Sequence, residues 1–317
     1  MLRVWRKWIL STVFLICLNG FNAIPMPDTT PTPPIQPSAE LRKDARGVIV
    51  RDDDSTEAAQ ATRRTLGLQL NSVPMTAPFA WWLAGWRDFF KCPGIALFFG
   101  LCFFIMGHIL LRAFESATEY VLALSAGFLL VGPFLCLGLY RSSKSIEEGK
   151  RPLLSQSLDA WLPTAGTLSL FAAVLLVLEM LWARAALIVF AVSFDVVPEE
   201  NNILAQLLNP ENLDFLLAYV AVGAVFAGLI FMASVVAIPM IMDRKVDAIT
   251  AVLTSMRACL TNPLAMLVWG GTITVTIVLS MLPYFIGLIV MGPVMGYATW
   301  HAYRAIVPKP ENDLKLD

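Results

Sequence analysis

Five residues have types and spacing that suit chemistry inside a membrane: His108, Arg112, Glu115, Glu179 and Arg184. His108 lies fourteen residues beyond Gly94, and Glu179 fourteen beyond Ala165, where two long apolar runs begin. At ~1.5 Å of rise per residue both groups sit ~21 Å along their helices, with Arg112 and Arg184 about one turn further on. An imidazole, two carboxylates and two guanidinium groups at one level would make a ligand or proton site. Ionisable groups at membrane depth are functional candidates by default. The same residues also read as structural pairs near helix ends, where Arg and Glu reach back to water.

Other chemistry is poorly served. The chain has two histidines, His108 and His301. They fall at opposite ends of their helices, ~20 Å apart in depth, so one haem or metal ion is out of reach of both. The five cysteines, Cys17, Cys92, Cys102, Cys136 and Cys259, lie in or beside apolar runs without a CxxC pair; they read as small hydrophobes. A Gly-rich phosphate loop, a nucleophile elbow and an HExxH motif are all missing from the sequence. The expectation is therefore no enzyme, no cofactor and no metal. Cys102, Thr272, Thr274 and Thr276 fall near the midplane without a charge, which disfavours a proton- or sodium-coupled pump.

The elements that position these residues follow from composition. Of 317 residues, 57% are apolar and 15% charged, against ~45–50% and ~25% in soluble domains. The net charge is −1. These values exclude a disordered chain, a basic nucleic-acid binder and an ordinary soluble enzyme. Six runs suit spanning helices: 94–111, 120–140, 165–182, 215–240, 264–282 and 284–301. The third is ambiguous, because apolar character resumes after Arg184 and runs to Phe194. Either the helix continues beyond the bilayer, or 185–194 is an interfacial or re-entrant piece.

Basic residues alternate between loops. Arg141, Lys144, Lys150 and Arg151 follow the second run, Arg244, Lys245 and Arg257 the fourth, and Arg304, Lys309 and Lys315 the sixth. The other side has Arg112 and Arg184 among acidic residues. This alternation predicts a multi-pass protein with both termini in the cytoplasm. Residues 1–20 carry Arg3, Arg6 and Lys7 ahead of a short apolar run, a weakly signal-like or interfacial segment expected neither to span nor to direct export. Prolines and charges then predict a disordered cytoplasmic tail over 21–75. The membrane domain is expected over 76–307, with a cytoplasmic tail over 308–317.

Self-comparison suggests a repeat. GFLLVGP (127–133), GLIFMAS (228–234) and GLIVMGP (287–293) mark the even runs. Arg87, Pro93 and Gly100 recur as Arg257, Pro263 and Gly270. A mixed apolar and charged stretch precedes each odd run, at 79–90, 153–162 and 247–260. The predicted fold is all-α: six transmembrane helices as three repeated hairpins, each preceded by an interfacial amphipathic helix. Trp81, Trp82 and Trp86 are expected at the headgroup level. Gly127, Gly132, Gly228, Gly287, Gly292 and Gly296 are expected to let helix backbones approach. Pro133, Pro239 and Pro293 each remove a donor and predict kinks.

WLAGWRDFF (82–90), SAGFLLVGPFLCLGLY (125–140), FAVSFD (190–195), MDRKVDAITAVLTSMR (242–257) and MGPVMGYATWHAYRA (291–305) resemble a bacterial family of predicted integral membrane proteins of unknown function, over roughly 75–307. The resemblance implies a bacterial inner-membrane location and transfers no site residues. The leading expectation is a non-enzymatic accessory or scaffold of an envelope or respiratory assembly, with the lipid bilayer and a membrane protein as partners. The alternative is a passive or weakly coupled channel or exporter for a small solute.

Overall fold

The computed structural model describes residues 41–43, 49–51, 68–116, 121–193 and 213–309. The segment 1–20, most of the expected tail, residues 194–212 and the chain beyond 309 lie outside the described residues. The chain divides into two units, 1–57 and 58–317. In the first, β1 (Leu41–Lys43) pairs antiparallel with β2 (Ile49–Arg51), Leu41 opposite Arg51. This hairpin falls within the stretch that composition assigns to a disordered tail.

In the second unit the described elements are helices. They are α1 (Ala77–Lys91), α2 (Pro93–Ser116), α3 (Val121–Glu147), the short α4 (Leu154–Leu158), α5 (Ala165–Ser193), α6 (Leu213–Ser234), α7 (Ala237–Arg244), α8 (Ala248–Thr261), α9 (Pro263–Met281) and α10 (Leu288–Ile306). Among the described residues four stretches are long and apolar enough to cross a membrane: Pro93–Ala113, Leu154–Ser193, Leu213–Arg244 and Pro263–Met281. Helix α5 runs unbroken for 29 residues, which settles the ambiguous third run as one continuous helix. The sixth run begins later than the sequence suggests, because Tyr284 and Phe285 adopt left-handed φ values of 50° and 64° in the turn before α10.

The copy relation between residues 77–100 and 247–270 extends to conformation. Cys92 (φ −137°, ψ 61°) joins α1 to α2, and Asn262 (φ −126°, ψ 54°) joins α8 to α9. Pro93 and Pro263 then take the first helical position, where a missing N–H costs no bond. Outward-facing residues correspond one for one: Phe79 with Ile249, Leu83 with Leu253, Phe90 with Leu260. Inward-facing ones do too, Ala96 with Met266 and Phe99 with Trp269. The middle stretch departs from this pattern, entering α5 through a 3-10 turn, Leu162–Thr164.

Helix α10 is the most enclosed. Val294, Tyr297, Ala298, Trp300, Tyr303 and Ile306 have no exposed surface. It packs on α1, α2, α3 and α9. The α1 face against it turns Trp81 inward, edge-on to the Trp269 ring at 5.7 Å; Trp81 is thus a core residue rather than an anchor in the headgroups. Helices α5 and α6 pack on each other and meet the rest through α3, α7 and α8.

The three prolines act differently. Pro239 has no N–H for the carbonyl of Val235, and the fourth run breaks there into α6 and α7. The Val236 N–H at the break donates to Ser255 Oγ of α8 at 3.1 Å. Helices α3 and α10 continue through Pro133 and Pro293. In α10 the carbonyl deprived of its partner by Pro293 belongs to Ile289, and it lies against Gly100 of α2, where a Cβ would stand 1.9 Å from its oxygen. Only glycine fits.

The described chain ahead of α1 begins at residue 68. The Asn71 N–H donates to the Ile306 carbonyl at 2.9 Å. Asn262 clamps the same strap, its Oδ1 accepting from the Val73 N–H (2.8 Å) and its Nδ2 donating to the Asn71 carbonyl (3.1 Å). Residues 71–73 are thus fastened to the ends of α8 and α10.

Gly100→Ala is expected to destabilise the detergent-solubilised protein by about 1–3 kcal/mol through overpacking. Gly228→Ala, where a Cβ meets no atom within 4 Å, is expected to be neutral or stabilising by up to about 1 kcal/mol. Thermal unfolding of the two variants in parallel checks both signs.

Candidate functional site

Of the five residues expected at one level, His108, Glu179 and Arg184 lie apart from one another. His108 is held between the rings of Phe104 (4.2 Å) and Phe285 (6.3 Å), with its Nδ1 buried and without a hydrogen-bond partner. Phe285 reaches that place by packing under Gly107, where a Cβ would clash with its ring. Arg112 and Arg184 are exposed, and no ion pair joins Arg184 to Glu179 among the described residues. The surroundings of Glu115 lie outside the described side chains.

Glu179 instead lines a cavity of about 560 Å³. The walls come from six helices: Phe103 of α2, Gly132 and Cys136 of α3, Leu175, Glu179 and Trp182 of α5, Phe226 and Ala227 of α6, Ile273 and Ile277 of α9, and Met295 and Thr299 of α10. The space exists because α5 and α6 pair with each other and close onto α10 only indirectly. Glu179 is 9% exposed. The hydroxyls in the wall are already used: Ser234 Oγ donates to the Ile230 carbonyl (2.7 Å) and Thr299 Oγ1 to the Met295 carbonyl (2.8 Å).

The glycine and proline positions sort by neighbour. Gly292 and Gly296, expected to admit helix backbones, instead face the Phe103 ring and the Leu139 side chain. Gly287 lies against the Ser280 backbone in the turn between α9 and α10. Gly132 and Gly228 have no atom within 4 Å of a built Cβ, and Gly132 borders the cavity. The surroundings of Gly127 and Pro133 lie outside the described side chains.

A second polar grouping escaped sequence reasoning. It gathers the ends of α1, α3, α7 and α10. Asp88 Oδ2 accepts from Ser143 Oγ and lies 2.8 Å from His301 Nε2. Asp243, its side chain 4% exposed, accepts from Lys144 Nζ (2.7 Å) and Tyr303 Oη (2.7 Å), with Arg304 Nη1 at 3.3 Å. Arg304 turns its guanidinium fork to Glu147, Nε to Oε2 at 3.0 Å and Nη2 to Oε1 at 3.0 Å, and stacks 5.5 Å above the Trp300 ring. Arg244 donates to Tyr303 Oη and to the Pro308 carbonyl. Burial by itself pushes the Glu147 carboxyl up, but hydrogen bonds and charge from Arg304 and Lys309 hold it below the usual range. Both oxygens of Asp243 and of Glu147 meet donors, and Asp88 Oδ2 meets Ser143 and His301, so the grouping fastens the ends of four helices.

Residues 121–243 match the model of a family described as predicted integral membrane protein (DUF2189). The match covers α3 to the penultimate residue of α7, and so includes the α5–α6 pair and Glu179. It supports the middle of the resemblance expected over 75–307. No curated protein and no solved structure matches the chain. The apolar helices and this match identify an integral membrane protein.

Asp243→Ala strips a buried partner from Lys144, Tyr303 and Arg304, and is expected to cost about 3 kcal/mol or more. Glu147→Gln, at a position a quarter exposed to water, is expected to cost under about 1 kcal/mol. Because its folded carboxyl is depressed, the Glu147 contribution is fully present above about pH 4.5, the ordinary value, and disappears as the pH falls further. Melting temperatures of wild type and Glu147→Gln between pH 7 and pH 3.5 are therefore expected to converge only at the acid end.

Proposed function

We propose that this is a non-enzymatic, six-span bacterial inner-membrane protein that takes a small apolar solute into the cavity between the α5–α6 pair and α10. The supporting observation is the cavity itself: about 560 Å³, walled by six helices, within the range of drug-sized ligand sites. In this reading α3 and α10 complete the spans, α1 and α8 lie in the interface, and three hairpins form the membrane domain. The basic ends of α3, α7 and α10 face the cytoplasm, as do both termini. An apolar lining suits a lipophilic solute entering from the bilayer better than an ion crossing it in water.

An accessory or scaffold role in an envelope or respiratory assembly is the second reading. It draws on the outward face of α1, where Phe79 and Phe90 are 76% and 70% exposed. Photocrosslinking from Phe79 in native membranes to a single protein partner would favour it.

The primary test uses the full-length protein in lipid nanodiscs with N-phenyl-1-naphthylamine, an uncharged apolar fluorophore. Saturable binding above that of empty nanodiscs is expected, and Gly132→Leu, which sends a side chain into the cavity, is expected to remove it. Equal signals from loaded and empty nanodiscs would overturn the proposal. Reporter fusions after Lys150 and Lys245 are expected to read cytoplasmic, and periplasmic activity at either would reverse the assigned orientation.

A further inference from the structure

The cavity holds one carboxylate that the protein itself does not satisfy. Among the described residues, Glu179 accepts no hydrogen bond and forms no ion pair, although it is nine-tenths buried. The wall hydroxyls of Ser234 and Thr299 are committed to carbonyls of their own helices. Among the described residues, no Lys, Arg or His lines the cavity. A lone carboxylate removed from water is strongly unfavourable, and a ligand cation is one way to offset that cost.

The rest of the wall fits the same ligand. Phe103, Trp182, Phe226 and Phe231 surround the space, and aromatic faces attract ammonium groups through the ring quadrupole. An anion would meet a carboxylate with no compensating base. A neutral apolar molecule would leave Glu179 needing a proton.

Building on the cavity reading above, we propose that this site selects apolar molecules bearing one ammonium group, with the cationic head on Glu179 and the apolar body against α6, α9 and α10. Glu179 is then the specificity residue, and Gly132 and Phe226 shape the space for the body.

Three probes with one scaffold and different heads test this: 4-phenylbutylamine, 4-phenylbutanol and 4-phenylbutanoate, titrated calorimetrically into nanodisc-embedded full-length protein at pH 7 with empty nanodiscs as the blank. The amine is expected to bind at least about tenfold more tightly than the alcohol, the magnitude of one charge-assisted bond, and the carboxylate to show no saturable binding. Glu179→Gln is expected to remove the preference, bringing amine affinity down to that of the alcohol. Gly132→Leu is expected to abolish binding of both. Equal binding of amine and alcohol to wild type, or an unchanged amine preference in Glu179→Gln, would overturn the head-group assignment while leaving the cavity reading intact. Absence of saturable binding by every probe, including the uncharged fluorophore, would overturn both. Should Glu179→Gln fail to fold, Glu179→Asp, which shortens the reach but keeps the charge, is expected to bind the amine more weakly than wild type and still ahead of the alcohol; parity there would also count against the assignment.

Discussion

Everything in the helical unit is arranged around one constraint: α10 must be kept away from lipid. Its sequence from Gly292 to Arg304 carries Tyr297, Thr299, Trp300, His301, Tyr303 and a proline, polar groups that hydrocarbon would leave without partners. The solution is enclosure by α1, α2, α3 and α9. Lipid tails are as apolar as leucine, so this enclosure is held by close packing rather than by expulsion of water. Gly85 and Gly100 permit it, each lying where a Cβ would collide with an α10 carbonyl oxygen, of Val294 and Ile289 respectively.

The charged end follows from the same constraint. Tyr303 and Arg304 emerge from the enclosed part of α10 and meet Asp243 and Glu147, while His301 meets Asp88. Four helix ends are thereby fixed to one another in a layer with partial access to water. With α10 committed on the side of α1, α2 and α3, the α5–α6 pair does not close onto it, and the cavity is what remains between them. The position of Glu179 at that gap, unsatisfied by its own protein, is the feature that separates this site from a packing defect.

Much of the scaffold was legible in the sequence. The match of Arg87, Pro93 and Gly100 with Arg257, Pro263 and Gly270 points to a joint that the structure realises with near-identical dihedrals at Cys92 and Asn262. The break before Pro239 follows from the missing N–H. Other features depend on tertiary partners. The Asp243 to Lys144 pair spans ninety-nine residues, so neither residue signals the other locally. Depth along a helix places His108 and Glu179 at one level, but it says nothing of rotation about the axis. They consequently face different surroundings, rings of Phe104 and Phe285 for one and the cavity for the other. An apolar run, likewise, reads the same whether lipid or protein covers it, so the enclosure of α10 stayed hidden.

The enclosure of α10 is measured most directly by labelling the unmodified protein in bilayers with a photoactivatable diazirine lipid and mapping the adducts by mass spectrometry. Adducts are expected on the exposed residues of the outer helices, such as Phe79, Val177, Val220, Val225, Leu267 and Val275, and none on α10 between Val294 and Tyr303. Labelling of Tyr297, Trp300 or Tyr303 at the level of Val225 would contradict it.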